Sequence, residues 1–285
     1  MTRDSARIRP CIAGFSLALA ILAPLSALAQ EGVTLFVRYE HEGTVSYGRL
    51  EGDTIQPLDG DLFSDPTDRG EQIRLSEVRL LAPVEPSKVI AVGLNYQSHL
   101  GNSAGPAEPA LFAKLPTSII GPGEAIVLPR DSTNVHYETE MVIVIGKKAK
   151  NVSVEEAGDY IFGVTCGNDV SARDWQRSDL QWFRAKASDT FGPIGPVIAR
   201  GLDYDNLMIE GRVNGETVQK QRTDDLIFST ADIVSFTSRY VTLLPGDVIF
   251  TGTPGRTSAL EPGDVVEIEV EGVGILSNPV VRESD

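Results

Sequence analysis

Glu138 and Glu140 stand two residues apart in His136-Tyr137-Glu138-Thr139-Glu140, directly before the apolar run Met141-Val142-Ile143-Val144-Ile145. If one strand carries the whole stretch, side-chain alternation puts both carboxylates on one face, about 7 Å apart. Two like charges so placed repel unless a cation or solvent separates them, and a solvated strand end is the bland reading of this pair alone. Asp169 adds a third carboxylate after the apolar run 160–166. Three carboxylates at strand ends form an oxygen-only set suited to Mg²⁺, Mn²⁺ or Ca²⁺, with positions left for water and substrate. His136 shares the glutamates' face by the same alternation, which leaves a mixed nitrogen and oxygen site open, although a histidine there more often supports a ligand than binds the metal.

Polar and cationic groups follow Asp169. Arg173 and Gln176 are three residues apart and share a face if the segment is a helical turn. Lys186 lies a little further on, in Ala185-Lys186-Ala187-Ser188-Asp189. Singly, each cation reads as a surface charge; beside three carboxylates, the two complete a site for an anionic ligand, with arginine offering a two-pronged contact.

The elements that must position these groups are mostly strands. Residues 33–39 read as a strand, and glycines at 43, 48, 52 and 60 punctuate further short β segments. Two prolines within 80–86 mark a linker, so the chain divides into a small N-terminal unit, 30–85, and a larger unit, 86–285. Short β-branched runs at 89–92, 141–145, 160–165, 241–244, 248–250 and 265–270 are separated by Pro-Gly-Asp turns at Pro245 and Pro262. Short helices are expected at 154–159 and 231–238. The fold class is α+β, mainly β, without the strand and helix alternation of a doubly wound sheet.

Arg3, Arg7 and Arg9 precede an apolar run at 12–22, and Ala27-Leu28-Ala29 offers small residues at both positions a signal peptidase reads. Residues 1–29 are therefore expected to be a cleaved signal peptide, which makes the mature protein periplasmic or secreted, with no membrane association afterwards. The chain carries a formal charge of −15, and losing three arginines and Asp4 makes it more negative still. Such a surface repels nucleic acid, so an anionic substrate needs local positive charge from a metal, arginine or lysine. Cys166 is the one cysteine beyond the leader, so no intramolecular disulfide is expected in the mature chain.

Several stretches together resemble the fumarylacetoacetate hydrolase family. They are Val92-Gly93-Leu94-Asn95-Tyr96 with His99, Phe112-Ala113-Lys114, Tyr137 to Glu140, Asn168-Asp169 through Gln176, Lys186 to Pro196, and Leu244-Pro245-Gly246-Asp247 through Thr253-Pro254. The resemblance implies a small N-terminal domain and a β-roll catalytic domain, usually paired as a homodimer. It implies Glu138, Glu140 and Asp169 as ligands of Mg²⁺ or Mn²⁺, and Arg173, Gln176 and Thr253 as substrate contacts. It also implies that Lys186 stabilises developing negative charge and that His99 activates water. The family's hydrolases follow that histidine three residues later with glutamate; here the residue is Asn102, with Glu108 nearby in sequence.

The leading expectation is metal-dependent hydrolysis of a C–C bond in a small 2-oxo acid, such as an acylpyruvate. The alternatives are 2-oxo acid decarboxylation or enol-keto isomerisation, which need the same stabilisation of negative charge without activated water, and an exported binding protein that has lost turnover.

Overall fold

The computed structural model describes residues 32–284. The leader expected at 1–29 lies outside them, and among the described residues no helix is long and apolar enough to cross a membrane.

The longer strands, in chain order, are β1 (Thr34–His41), β2 (Thr44–Glu51), β3 (Thr54–Asp59), β4 (Val89–Gly93), β5 (Ala110–Lys114), β6 (Thr139–Ile145), β7 (Ile161–Asn168), β8 (Gly192–Arg200), β9 (Met208–Val213), β10 (Glu216–Arg222), β11 (Val248–Phe250), β12 (Val265–Val270) and β13 (Gly274–Arg282). The α-helices are α1 (Gln97–Leu100), α2 (Arg173–Gln176), α3 (Phe183–Ala187) and α4 (Thr230–Tyr240). A thirteen-stranded sheet runs inward from a two-residue edge strand in the order β3-β2-β1-β8-β7-β6-β11-β4-β5. A five-stranded sheet orders Ile126–Leu128, β13, β12, β9 and β10. Segment 81–88 carries no strand, yet β1 pairs antiparallel with β8, Leu35 opposite Ala199, so the large sheet is continuous across that segment.

β6 explains why the middle of the chain reads as an unbroken apolar run. All seven of its positions are buried. Met141 joins the cluster containing Ile209, Ile268 and Leu276 of the smaller sheet; Val142 and Val144 pack with Ala91 and Phe250; Ile143 and Ile145 pack with Ile233 and Val234 of α4. A strand covered on both faces loses the polar alternation of a surface strand. Each such side chain contributes about 1.5–3 kcal/mol of burial. α4 begins at a capping box in which Ser229 Oγ accepts Asp232 N–H and the Asp232 carboxylate accepts Ser229 N–H.

Three local expectations are corrected. The helix expected at 154–159 is only the 3₁₀ turn Ala157–Tyr160. Residues 241–244 form no strand, because Leu243 makes one isolated bridge to Ala149. The stretch from His136 to Ile145 is not one strand: Val135–His136 pairs with Ser171–Ala172, outside the large sheet, and the ladder resumes at Thr139.

Strand direction gathers the ends that matter. β6 runs antiparallel to β7, with Thr139 opposite Asn168, and antiparallel to β11; β11 runs parallel to β4. The start of β6 and the chain just after β4, β7 and β11 therefore lie at one end of the sheet.

Candidate active site

Glu138, Glu140 and Asp169 meet at that end, each buried, with carboxylate oxygens within 4.8 Å of one another. The break in the strand helps to make this possible. Asn168 Oδ1 accepts Glu138 N–H at 2.9 Å, and Asp169 N–H donates to Glu138 O at 3.0 Å, so the start of β6 and the end of β7 fix each other.

Cations press into the cluster from three elements. Lys186, on α3, places Nζ 2.6 Å from Glu138 Oε2 and 2.6 Å from Asp169 Oδ2. Lys114, at the end of β5, places Nζ 2.6 Å from Asp169 Oδ1 and also donates to Lys186 O. Arg173, on α2, pairs with the other oxygen of Glu138 and donates to Gln176 Oε1 at 2.8 Å, so the expected helical turn does bring these two together.

The charges sort the carboxylates. Burial by itself raises the Glu138 pKa, but the Lys186 ammonium and Arg173 guanidinium outweigh it and hold that carboxyl well below the usual range. Burial likewise opposes the charge on Lys186, and Asp169 and Glu138 overcome it, raising its pKa. Glu140 behaves in the opposite way. Burial pushes its pKa well up, and the charges of Asp169 and Glu138 push it further. It has no ion pair among the described residues and accepts one main-chain hydrogen bond, from Gly252 N–H at 2.7 Å. Gly252 has φ +107, and a Cβ there would lie 2.8 Å from Asn95 Cβ, so only glycine fits this approach.

A buried carboxylate whose ionisation is opposed by two others is the condition that a divalent cation relieves. The donor set is oxygen-only and suits a hard divalent ion. His136 takes no part in it. Its ring bonds Thr257 Oγ1 through Nδ1 and Asn134 Oδ1 through Nε2, both at 2.8 Å, and Thr257 Oγ1 in turn accepts from Arg173. Burial, with the Arg173 charge, lowers the His136 pKa to about 4.

His99 and Thr253 complete the cleft, so all eight site residues singled out from the sequence line or enter it. His99 comes from α1 and bonds the main-chain oxygen of Gly255 through Nδ1 at 2.7 Å. Glu108 is exposed and does not line the cleft. Sequence reasoning did not single out Trp182 and assigned no role to Phe112 or Lys114; Trp182 and Phe112 form an edge-to-face apolar wall with ring centroids 5.4 Å apart. It also missed Gln219 on β10, whose side chain accepts Thr139 N–H at 2.9 Å and donates to Thr253 Oγ1 at 2.9 Å and to Pro254 O. No local pattern marks Gln219, because its partners are 80 and 34 residues away.

Comparison with known proteins now bears on this geometry. Residues 88–281 match the family described as fumarylacetoacetate (FAA) hydrolase, C-terminal, and residues 35–83 match one described as Rv2993c-like, N-terminal. The chain belongs to the fumarylacetoacetate hydrolase family. Within the family, it is 43% identical over 221 residues to the mitochondrial oxaloacetate tautomerase FAHD2A of Homo sapiens, covering 72% of this chain and 70% of that one. A solved 2-hydroxyhepta-2,4-diene-1,7-dioate isomerase from Mycobacterium marinum is 42% identical, with a TM-score of 0.84 over 88% of this chain and 100% of that one. A maleylpyruvate hydrolase from Sphingobium sp. SYK-6, solved with manganese(II) and pyruvate, is 28% identical, with a TM-score of 0.73 over 88% of this chain and 100% of that one.

These relatives correct the expected location. Relatives 44% and 43% identical, from Rattus norvegicus and Homo sapiens, are mitochondrial by name, which stands against the reading of a periplasmic or secreted protein.

Proposed function

We propose that this protein is a metal-dependent isomerase that interconverts the keto and enol forms of a small 2-oxo acid, with oxaloacetate as the first candidate. The observation that carries the reading is the partner of His99. Its Nδ1 faces a main-chain carbonyl, which only accepts, so Nδ1 carries a proton and Nε2 is the nitrogen left to act as the base. Among the described residues no carboxylate forms an ion pair with the ring to stabilise an imidazolium during attack by water. Proton abstraction beside a carbonyl, followed by return of the same proton, needs the base without the water.

Glu138, Glu140 and Asp169 are the proposed ligands of Mg²⁺ or Mn²⁺. A bound divalent ion supplies Lewis-acid stabilisation of the negative charge that grows on the keto oxygen. Arg173, Gln176 and Thr253 are assigned to hold the substrate. The Thr253 hydroxyl already accepts from Gln219, which leaves its own O–H to donate. Lys186 donates toward the developing enolate oxygen. In the keto-to-enol direction, the C3–H bond breaks and His99 Nε2 takes the proton; the C–H electron pair forms the C2=C3 double bond as the C2=O π pair moves onto oxygen, and the proton then passes to that oxygen. The greater similarity to a tautomerase and an isomerase than to the maleylpyruvate hydrolase supports this over C–C hydrolysis.

The test uses the purified full chain with added Mg²⁺ or Mn²⁺. Loss of the enol absorbance of oxaloacetate should accelerate well above background, and acylpyruvate cleavage should be slow. Acylpyruvate cleavage without tautomerisation would restore the hydrolase reading.

A further inference from the structure

His99 sits on a four-residue helix at the edge of the cleft, and the carbonyl it bonds belongs to Gly255, a glycine with φ +59. A ring nitrogen takes its tautomer from the group it faces. What holds the Gly255 carbonyl in place therefore decides which nitrogen of His99 is free for chemistry.

Gly255 is gripped from both sides by two adjacent residues of the same helix. His99 Nδ1 bonds its oxygen, and its N–H donates to Ser98 Oγ at 3.0 Å. Ser98 Oγ also lies 2.6 Å from Gln221 Oε1, and Gln221 Nε2 donates to Asp225 Oδ2 at 2.9 Å. The directions along this chain are fixed from its far end. The Asp225 carboxylate oxygen accepts, so the Gln221 amide presents nitrogen to it and oxygen to Ser98. The serine O–H then has to donate to Gln221, leaving its lone pair for Gly255 N–H. Gln219, two residues earlier and on the same side of β10, holds Pro254 O and Thr253 Oγ1.

We infer that Ser98, oriented by Gln221 and Asp225, is a positioning residue that fixes the Gly255 carbonyl and so locks His99 in the Nδ1–H tautomer. The inference deepens the isomerase reading and rests on it for its consequence in catalysis. A carbonyl at Nδ1 selects the tautomer, but brings no full negative charge to stabilise an imidazolium. The family's hydrolases carry glutamate at the position of Asn102, and in this chain the ring is bonded by a carbonyl instead.

The experiment is ¹⁵N NMR of histidine-labelled full-length protein in Mg²⁺, with His99 assigned by the loss of its signals in His99→Gln, alongside oxaloacetate tautomerisation kinetics. The parent should show His99 protonated at Nδ1. Ser98→Ala should populate both tautomers and lower kcat by roughly tenfold, a reduced version of the loss seen when a catalytic histidine takes the wrong tautomer, with KM little changed. Ser98→Thr, which keeps the hydroxyl, should restore the single tautomer and most of the rate. Gln221→Leu should act in the direction of Ser98→Ala. A parent protonated at Nε2, or a Ser98→Ala protein with the Nδ1–H tautomer intact, overturns the inference. The NMR result needs no substrate, so a parent that fails to turn over 2-oxo acids would sink the isomerase reading while the tautomer measurement still decides the role of Ser98.

Discussion

Lys186 Nζ lies 2.6 Å from Glu138 Oε2, and the same ammonium stands 2.6 Å from Asp169 Oδ2, so one buried cation bridges two of the three clustered carboxylates. Lys186→Met should therefore do more than slow the reaction. It leaves two buried carboxylates short of a cation, which should destabilise the metal-free protein by about 3–5 kcal/mol. Saturating Mg²⁺ should recover much of that loss. The check is thermal melting with and without metal, beside kcat, which should fall by about 10²–10³-fold.

The carboxylates themselves are tested by binding. Isothermal titration of the parent with Mn²⁺ should show one site per chain, and Glu138→Ala, Glu140→Ala and Asp169→Ala should each bind weakly. Glu140→Gln gives the sharpest result. It removes the carboxylate whose ionisation is most opposed, so the metal-free protein should melt higher than the parent while the melting shift on adding metal vanishes. Parent affinity in all of these variants would remove the triad from the proposal.

His99→Ala should lower kcat for tautomerisation by roughly 10²-fold, the ordinary scale for loss of a general base, with Mn²⁺ affinity kept. Asn102→Glu should raise acylpyruvate hydrolysis relative to tautomerisation, because a carboxylate there would favour the imidazolium. Rate assays on both substrates at saturating metal decide it. An unaltered ratio in Asn102→Glu would mean that the missing carboxylate does not set the reaction type.

His136 should make the protein acid-sensitive. Its pKa falls from an unfolded value near 6.5 to about 4 in the fold. Between those values the unfolded chain binds more protons, so stability rises with pH through this window and is lost as pH falls toward 4. Replacing it by glutamine should flatten the slope of unfolding free energy against pH by up to about one proton. Urea unfolding at several pH values between 4 and 7 measures this. An unchanged slope would show that another group carries the acid sensitivity.

The acidic triad was legible because its members flank apolar runs that can only be buried strands, and Arg173 with Gln176 because three residues make a helical turn. The break between His136 and Thr139 was not legible. Nothing in His136-Tyr137-Glu138 forbids extended backbone, and the ladder changes partner there because Ser171–Ala172 competes for the chain. His136 consequently turns away from the face that alternation gave it. Gln219, Ser98 and Gln221 escaped notice for a different reason. They are ordinary polar residues whose roles exist only through contacts with chain that is remote in sequence. The helix expected at 154–159 shortened to a 3₁₀ turn at 157–160 that passes directly into β7.

The parallel pairing of β4 with β11 also bears on how the protein comes into being. Val89 lies opposite Val248, so the two segments that carry His99 and Thr253 become neighbours only after a closure of more than 150 residues. Such a contact is entropically expensive early and cheap once intervening strands have assembled. The cleft therefore cannot close until the chain as far as Thr253 is present.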